Sequence, residues 1–282
     1  MRKSMQSHEA AAKSSIPERY IKLSSIAMLL KGNIAFVRGA SGLLACAVIW
    51  EIIGRSGLLS RLFFVPLSEV LIVGGDLYAS GFIIPHLAYT FGNFALGFII
   101  GITVGIPAGL AIGWNRRIFQ YFDPIISVGL ATPVIVLVPL LIAIFGIFWQ
   151  SKVAITVWAV FFPILVSTIA GIQSVDAGLV KVARSFQASD IKIIANIVLP
   201  GAVPSLVSGV RLGLTRGLVG ALAAEFFGSQ KGLGYLAFNY SASFQTSKMF
   251  VAILTMALIG VILSELVKVS QNYFDAWRPE RD

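Results

Sequence analysis

Few side chains in this sequence carry covalent chemistry, and their placement argues against it. The two histidines, His8 and His86, lie far apart and form no metal-ligand pair, so no metal site is expected. There is no nucleophile motif and no pair of neighbouring carboxylates suited to acid–base work. A G-x-x-x-x-G-K-S/T phosphate loop is also absent, so no nucleotide cradle of that kind can form. What remains is a small set of ionisable and helix-bending residues in or beside apolar stretches. Thr132 and Pro133 open ATPVIVLVPLLIAIFG, with Pro139 further along, and Arg216 and Glu225 fall in or beside a later apolar block. Ionisable groups at membrane depth mark solute paths by default. Proline frees carbonyls and bends a helix, which is tolerated beside protein or a water-filled cavity. Thr132, Pro133, Pro139, Arg216 and Glu225 are therefore the candidate path residues. Two keep a plainer alternative: Thr132 as a cap for freed carbonyls, and Glu225 as a tether for the glycine-rich segment that follows it.

The elements that must position these residues are apolar helices. Hydrophobic residues make up 57% of the 282 and charged residues only 12%, far from the balance of a water-soluble domain. No Asp, Glu, Lys or Arg occurs between Asp76 and Arg116, from Pro124 to Ser151, or from Val153 to Val175. Each gap exceeds the roughly 20 residues a helix needs to cross the hydrocarbon core. Shorter blocks at Gly39 to Ile53, Ser205 to Ala224 and Phe250 to Val269 bring the expected count to six, in an all-α integral membrane protein. Residues 1–38 read as an N-terminal arm, in which 16–31 alternate basic and apolar groups as an interfacial helix does. Residues 39–282 read as the transmembrane domain. Cys46 sits inside the first apolar block as packing. Assigned to alternate sides, the loops carry fifteen basic residues on the side of the termini and five on the other. The positive-inside rule makes both termini cytoplasmic, in a multi-pass inner-membrane protein. The net charge of +9 is then a topology signal and a lipid-surface contact, which leaves nucleic-acid binding without support.

Between the fourth and fifth blocks lies VDAGLVKVARSFQASDIKIIANIVLP, Val175 to Pro200, which reads as two short amphipathic helices and a turn. Asp176 and Ser189 or Asp190 are the expected N-caps, and Pro200 the expected stop of the second helix. Its order and spacing resemble the cytoplasmic EAA loop of binding-protein-dependent ABC importer permeases. That pattern is Glu-Ala-Ala, three residues, Gly, nine residues, Ile, any residue, Leu-Pro. Here it reads Lys181-Val182-Ala183, then Gln187, then Ile197-Val198-Leu199-Pro200, with Lys181 and Gln187 replacing Glu and Gly. The turn position asks for a left-handed residue. The resemblance implies that Lys181, Val182, Ala183, Arg184, Gln187, Ala188, Asp190, Leu199 and Pro200 dock on an ATPase.

The second block places Gly97, Gly101, Gly105, Gly109 and Gly113 four residues apart, a side-chain-free groove for close helix packing or for sliding during gating. That block, and Ala223-Ala224-Glu225 with Gly232-Leu233-Gly234-Tyr235, resemble the sulfonate, taurine and nitrate importer group, and the likeness covers about 87–266. It implies a non-catalytic permease subunit whose last five helices form the importer core. It further implies a homodimer, two ATPase subunits holding ATP and Mg, an external binding protein and a small-anion substrate. The alternatives are a permease for an amino acid, a metal chelate or a vitamin precursor, and an ion-coupled secondary transporter. The last would call for intramembrane acids and an internal repeat, which the sequence lacks.

Overall fold

The computed structural model describes residues 18–275, with side chains described for 37–268. Every regular element among the described residues is a helix. The chain divides into two units, residues 1–68 and 69–282. In the first, α1 (Glu18–Arg55) contains the candidate span Val37–Arg55. The expected interfacial segment 16–31 begins outside the described residues; from Glu18 its backbone is helical and runs into the span without a break. After α1 the chain folds back on itself at Gly54, where a Cβ would sit 2.6 Å from Pro66 Cα. The Trp50 indole donates to Val65 O at 2.9 Å, and the Glu51 carboxylate accepts from Arg55 Nε and Ser68 Oγ.

The second unit takes in all but the first two residues of α2 (Leu67–Ala79), a helix the sequence reading passed over. Its core is three helices, α3 (Ile84–Trp114), α6 (Trp149–Gln173) and α9 (Leu199–Gly228). Each glycine of the α3 stripe faces the α6 residue 59 positions later: Gly97 meets Thr156, Gly101 Val160, Gly105 Ile164, Gly109 Thr168 and Gly113 Ile172. A constant offset means that the two helices run parallel and stay zipped for about 24 Å at 1.5 Å per residue. Thr156 and Thr168 bond their hydroxyls to carbonyls of their own helix, so their methyl sides meet the glycines. On its other side α6 meets Gly209, Gly213, Gly217 and Gly220 of α9 in antiparallel register. Helices of this kind associate through close backbone approach, since lipid supplies no hydrophobic drive between them. Pro163, expected as a helix-end or packing feature, is buried inside α6.

Because α3 and α6 run parallel, the chain between them must return to the face where α3 begins. It does so in two pieces, α4 (Arg116–Ala131) and α5 (Val134–Phe145), bent by 95° at Thr132–Pro133. Among the described residues five helices are long and apolar enough to cross a membrane, and this bent pair brings the count to six if it is taken as one span. The expected single kinked span is thus corrected. The whole bend falls at one point, while Pro139 lies inside α5 and Pro124 inside α4. Thr132 bonds Val128 O through both its backbone N–H (3.0 Å) and its hydroxyl (2.7 Å), closing α4. The chain ends with α7 (Ala177–Ser185), α8 (Asp190–Ile193), α10 (Leu233–Ala242) and α11 (Thr246–Asp275).

Candidate functional site

The α7–α8 hairpin marks one face of the protein, here called the hairpin face; α3, α6 and α10 begin at the opposite, far face. Asp176 caps α7 by accepting from Gly178 N at 2.6 Å. Ser189 occupies the cap position of α8 but makes no side-chain cap bond. Gln187 is left-handed, φ 57°. Ala188 N donates to Ala183 O at 3.1 Å and Gln187 N to Arg184 O at 2.9 Å, the pair of bonds that closes a helix on a left-handed residue. The turn that usually takes glycine therefore keeps its geometry with glutamine, at the steric cost of a Cβ in that region.

Pro200 does not stop the second helix. From Asp190 the chain runs through a π-helical turn, Ile194–Val198, straight into α9, giving one helical run Asp190–Gly228. Leu199 N bonds Ile194 O, five residues back. That wider turn leaves room for the Pro200 ring, which in a regular helix would press on the carbonyl four residues before it.

Within the expected docking set, the structure separates inward from outward groups. Ala183 and Ala188 pack inward, with Val180, against Ile172, Ile193 and Val198. Lys181, Val182, Arg184, Gln187 and Asp190 are exposed, and Arg184 pairs with Asp190 at 3.5 Å. Leu199 is partly buried where α9 starts, with Pro200 exposed beside it. The outward apolar groups are Leu179, Val182, Phe186 (81% exposed) and Ile191 (80%). Three of these four were absent from the expected docking set, although their helical spacing was visible.

The path candidates also separate. Thr132, Pro133 and Pro139 lie on the broken crossing, all at least partly exposed. Arg216 is exposed on α9, four residues before Gly220, whose Cβ would lie 3.6 Å from Val134 Cγ1 at the start of α5. Arg216 thus stands one helical turn on the hairpin side of the Thr132–Pro133 break. Glu225 takes the plainer of its two alternatives, the tether: it is 1% exposed and turned away from the open face of α9. Its Oε2 accepts from Thr90 Oγ1 at 2.8 Å and Gly234 N at 3.0 Å, while Leu233 N donates to Thr90 Oγ1 and Gly232 N to His86 Nδ1. Three consecutive amides at the start of α10 are thereby held by α3 and α9. His86, which forms no metal pair, is one of the tethers. Lys152, one of the five basic residues assigned to the far-side loops, is 0% exposed. Its ammonium donates to Ile147 O at 2.5 Å and to Gly228 O, closing the last turn of α9.

A family-wide comparison fits this arrangement. Residues 101–278 match the family described as "Binding-protein-dependent transport system inner membrane component". The chain belongs to this family. It is 32% identical to the "Putative aliphatic sulfonates transport permease protein SsuC" of Bacillus subtilis (strain 168), over 84% of this chain and 87% of that one. It is 29% identical to the "Taurine transport system permease protein TauC" of Escherichia coli (strain K12), over 82% and 86%. The "Formylaminopyrimidine transport permease protein ThiX" of Halalkalibacterium halodurans is 27% identical over 83% and 93%. Among solved structures, the MetNI methionine ABC transporter in an inward-facing form matches with a TM-score of 0.61 at 16% identity, covering 70% of this chain and 96% of that one. It shares the fold.

Proposed function

We propose that this permease works as a homodimer with two ATPase subunits, which carry ATP and magnesium, and with an external binding protein that captures the solute. Its hairpin face is cytoplasmic, as are both termini, and its substrate is a small anion of the sulfonate type. The observation that carries the reading is the hairpin itself. Leu179, Val182, Phe186 and Ile191 form an exposed apolar patch on a folded loop, fringed by Lys181 and Arg184 and continuous with a membrane-crossing helix. Such a patch fits a groove on a partner that moves when ATP binds, and the helix carries the motion into the membrane. The likeness to sulfonate and taurine permeases over more than four-fifths of the chain supports the substrate class.

The experiment is a charge placed on the patch. Phe186→Asp exposes no core, so membrane insertion and thermal stability should hold while capture of the co-expressed ATPase and ATP-driven uptake fall at least tenfold. Ala183→Asp should instead destabilise the hairpin, because Ala183 packs inward. Normal ATPase capture and uptake in Phe186→Asp would refute the docking role.

A further inference from the structure

We infer that Arg216 and the apolar cleft beside it form a transit site for a small organic anion, with the guanidinium on the anionic head and the cleft on the hydrocarbon part. The inference rests on the permease reading and adds to it a place inside the membrane where the solute is read. Depth is the first argument. Arg216 precedes Gly228, the last residue of α9, by twelve positions, about 18 Å along the axis. In a hydrocarbon core of about 30 Å that is close to the midplane. An exposed guanidinium there cannot reach either water layer along lipid, so it faces a water-filled cavity or an anion.

The second argument is shape. On the far side of Arg216, the open face of α9 borders a cleft of about 530 Å³, lined by Ile135, Val219, Ala223, Phe226, Ala237 and Met256 among others. Ser241 supplies its only polar side chain. That volume is in the range of small-molecule sites, and an apolar wall with one fixed charge at its edge matches an anion with a short apolar tail. The third argument concerns the charge. The four helices lining the cleft hold two acids with described side chains; a third, Asp275, closes α11 beyond them. Glu225 is sealed against α3 and α10, and Glu265 pairs with Lys268. A lipid chain filling the cleft would leave the guanidinium uncompensated. From the residues with described side chains, a second copy of the chain would bring only Glu225 and Glu265, both already held.

The test reads the local field. In the complex assembled with its ATPase and binding protein, Val219→Cys in a Cys46→Ala background is treated with methanethiosulfonate ethylsulfonate, an anion, and with its trimethylammonium counterpart, a cation. A unit positive charge about 7 Å away in water favours the anionic reagent by about sevenfold. Arg216→Ala should bring the ratio close to one, and Arg216→Lys should keep most of it. ATP-driven uptake of ethanesulfonate should fall about tenfold in Arg216→Ala, with its affinity for the binding protein unchanged. Equal reaction with both reagents, an unchanged ratio in Arg216→Ala, or no reaction at all because another chain covers the face would overturn the site. If no sulfonate is taken up while the Arg216-dependent ratio persists, the substrate reading fails and the anion site stands.

Discussion

Adding a single methyl group along the glycine stripe tests whether α3 and α6 are held by backbone proximity. Three alanine substitutions should differ in sign. At Gly92, on the exposed side of α3, a Cβ meets nothing within 4 Å. Alanine there gains the helix-propensity difference over glycine, about 0.5–1 kcal/mol. At Gly105 the new Cβ would lie 3.1 Å from Ile164 Cγ2, a contact that a small shift of the isoleucine can relieve. The propensity gain and the packing cost then roughly cancel. At Gly101 it would lie 2.6 Å from Val160 Cγ1 and 2.8 Å from Val160 Cβ. Val160 cannot turn away, because its other methyl group is pressed against Gly217 of α9. Overpacking of this kind costs about 1–3 kcal/mol, so the net effect is a loss of up to about 2 kcal/mol. At about 2–4 °C per kcal/mol for a chain of this size, Gly92→Ala should melt slightly above wild type, Gly105→Ala with it, and Gly101→Ala several degrees below. The assay is thermal unfolding of purified protein in detergent, followed by thiol-reactive dye or by retention of monodispersity. If Gly101→Ala melts with Gly92→Ala, the zipped register is wrong.

Three further outcomes follow from single contacts. Gln187→Gly should raise the melting temperature by a few degrees at most, since glycine enters φ 57° without the cost of about 1–2 kcal/mol that a Cβ carries; a loss of stability would count against the left-handed turn. Lys152→Met should destabilise by about 1–3 kcal/mol for each carbonyl left unpaired at Ile147 and Gly228, measured by the same melts, whereas a neutral change would show that Lys152 is not the cap. Single cysteines at Ser229 and Ser189 in a Cys46→Ala background should react and not react, respectively, with a membrane-impermeant thiol reagent added to intact cells; the reverse pattern would invert the topology.

Much of the fold was legible because membrane crossing imposes a simple rule, and the charge gaps mark three of the candidate crossings well. The register of the hairpin was also visible, since Lys181, Gln187 and the Leu199–Pro200 pair keep their spacing despite two changes of residue type. Other features were hidden for local reasons. Glu69 and Asp76 interrupt the pattern of α2, and α10 is too short for periodicity to show. Arg211 and Arg216 lie inside the fifth block and blur its ends, which drew attention from Gly209, Gly213 and Gly217, where α9 continues the four-residue spacing seen on α3. Proline was overread twice, because a π-helical turn accommodates Pro200 and because the 95° bend falls at Thr132–Pro133, away from Pro139. Lys152 looked like a loop cation, since no pattern in sequence says which carbonyls lie within reach of its ammonium.

The unbroken helical run from Asp190 to Gly228 is a lever as well as a crossing. Packed on α6 from Gly209 to Gly220 and taken to pivot near Gly213, it has arms of about 35 Å toward the hairpin and about 22 Å toward the far face, counted at 1.5 Å per residue. A 10° tilt about that fulcrum would move the two ends by about 6 Å and about 4 Å in opposite directions. Spin-label distances from positions 189 and 229 to Ile164, measured with and without ATP, would read that ratio, and motion of both ends to the same side would exclude a seesaw. Arg216, only three residues from the fulcrum, would shift by less than about 1 Å. The two mouths could then exchange while the charge between them stands still.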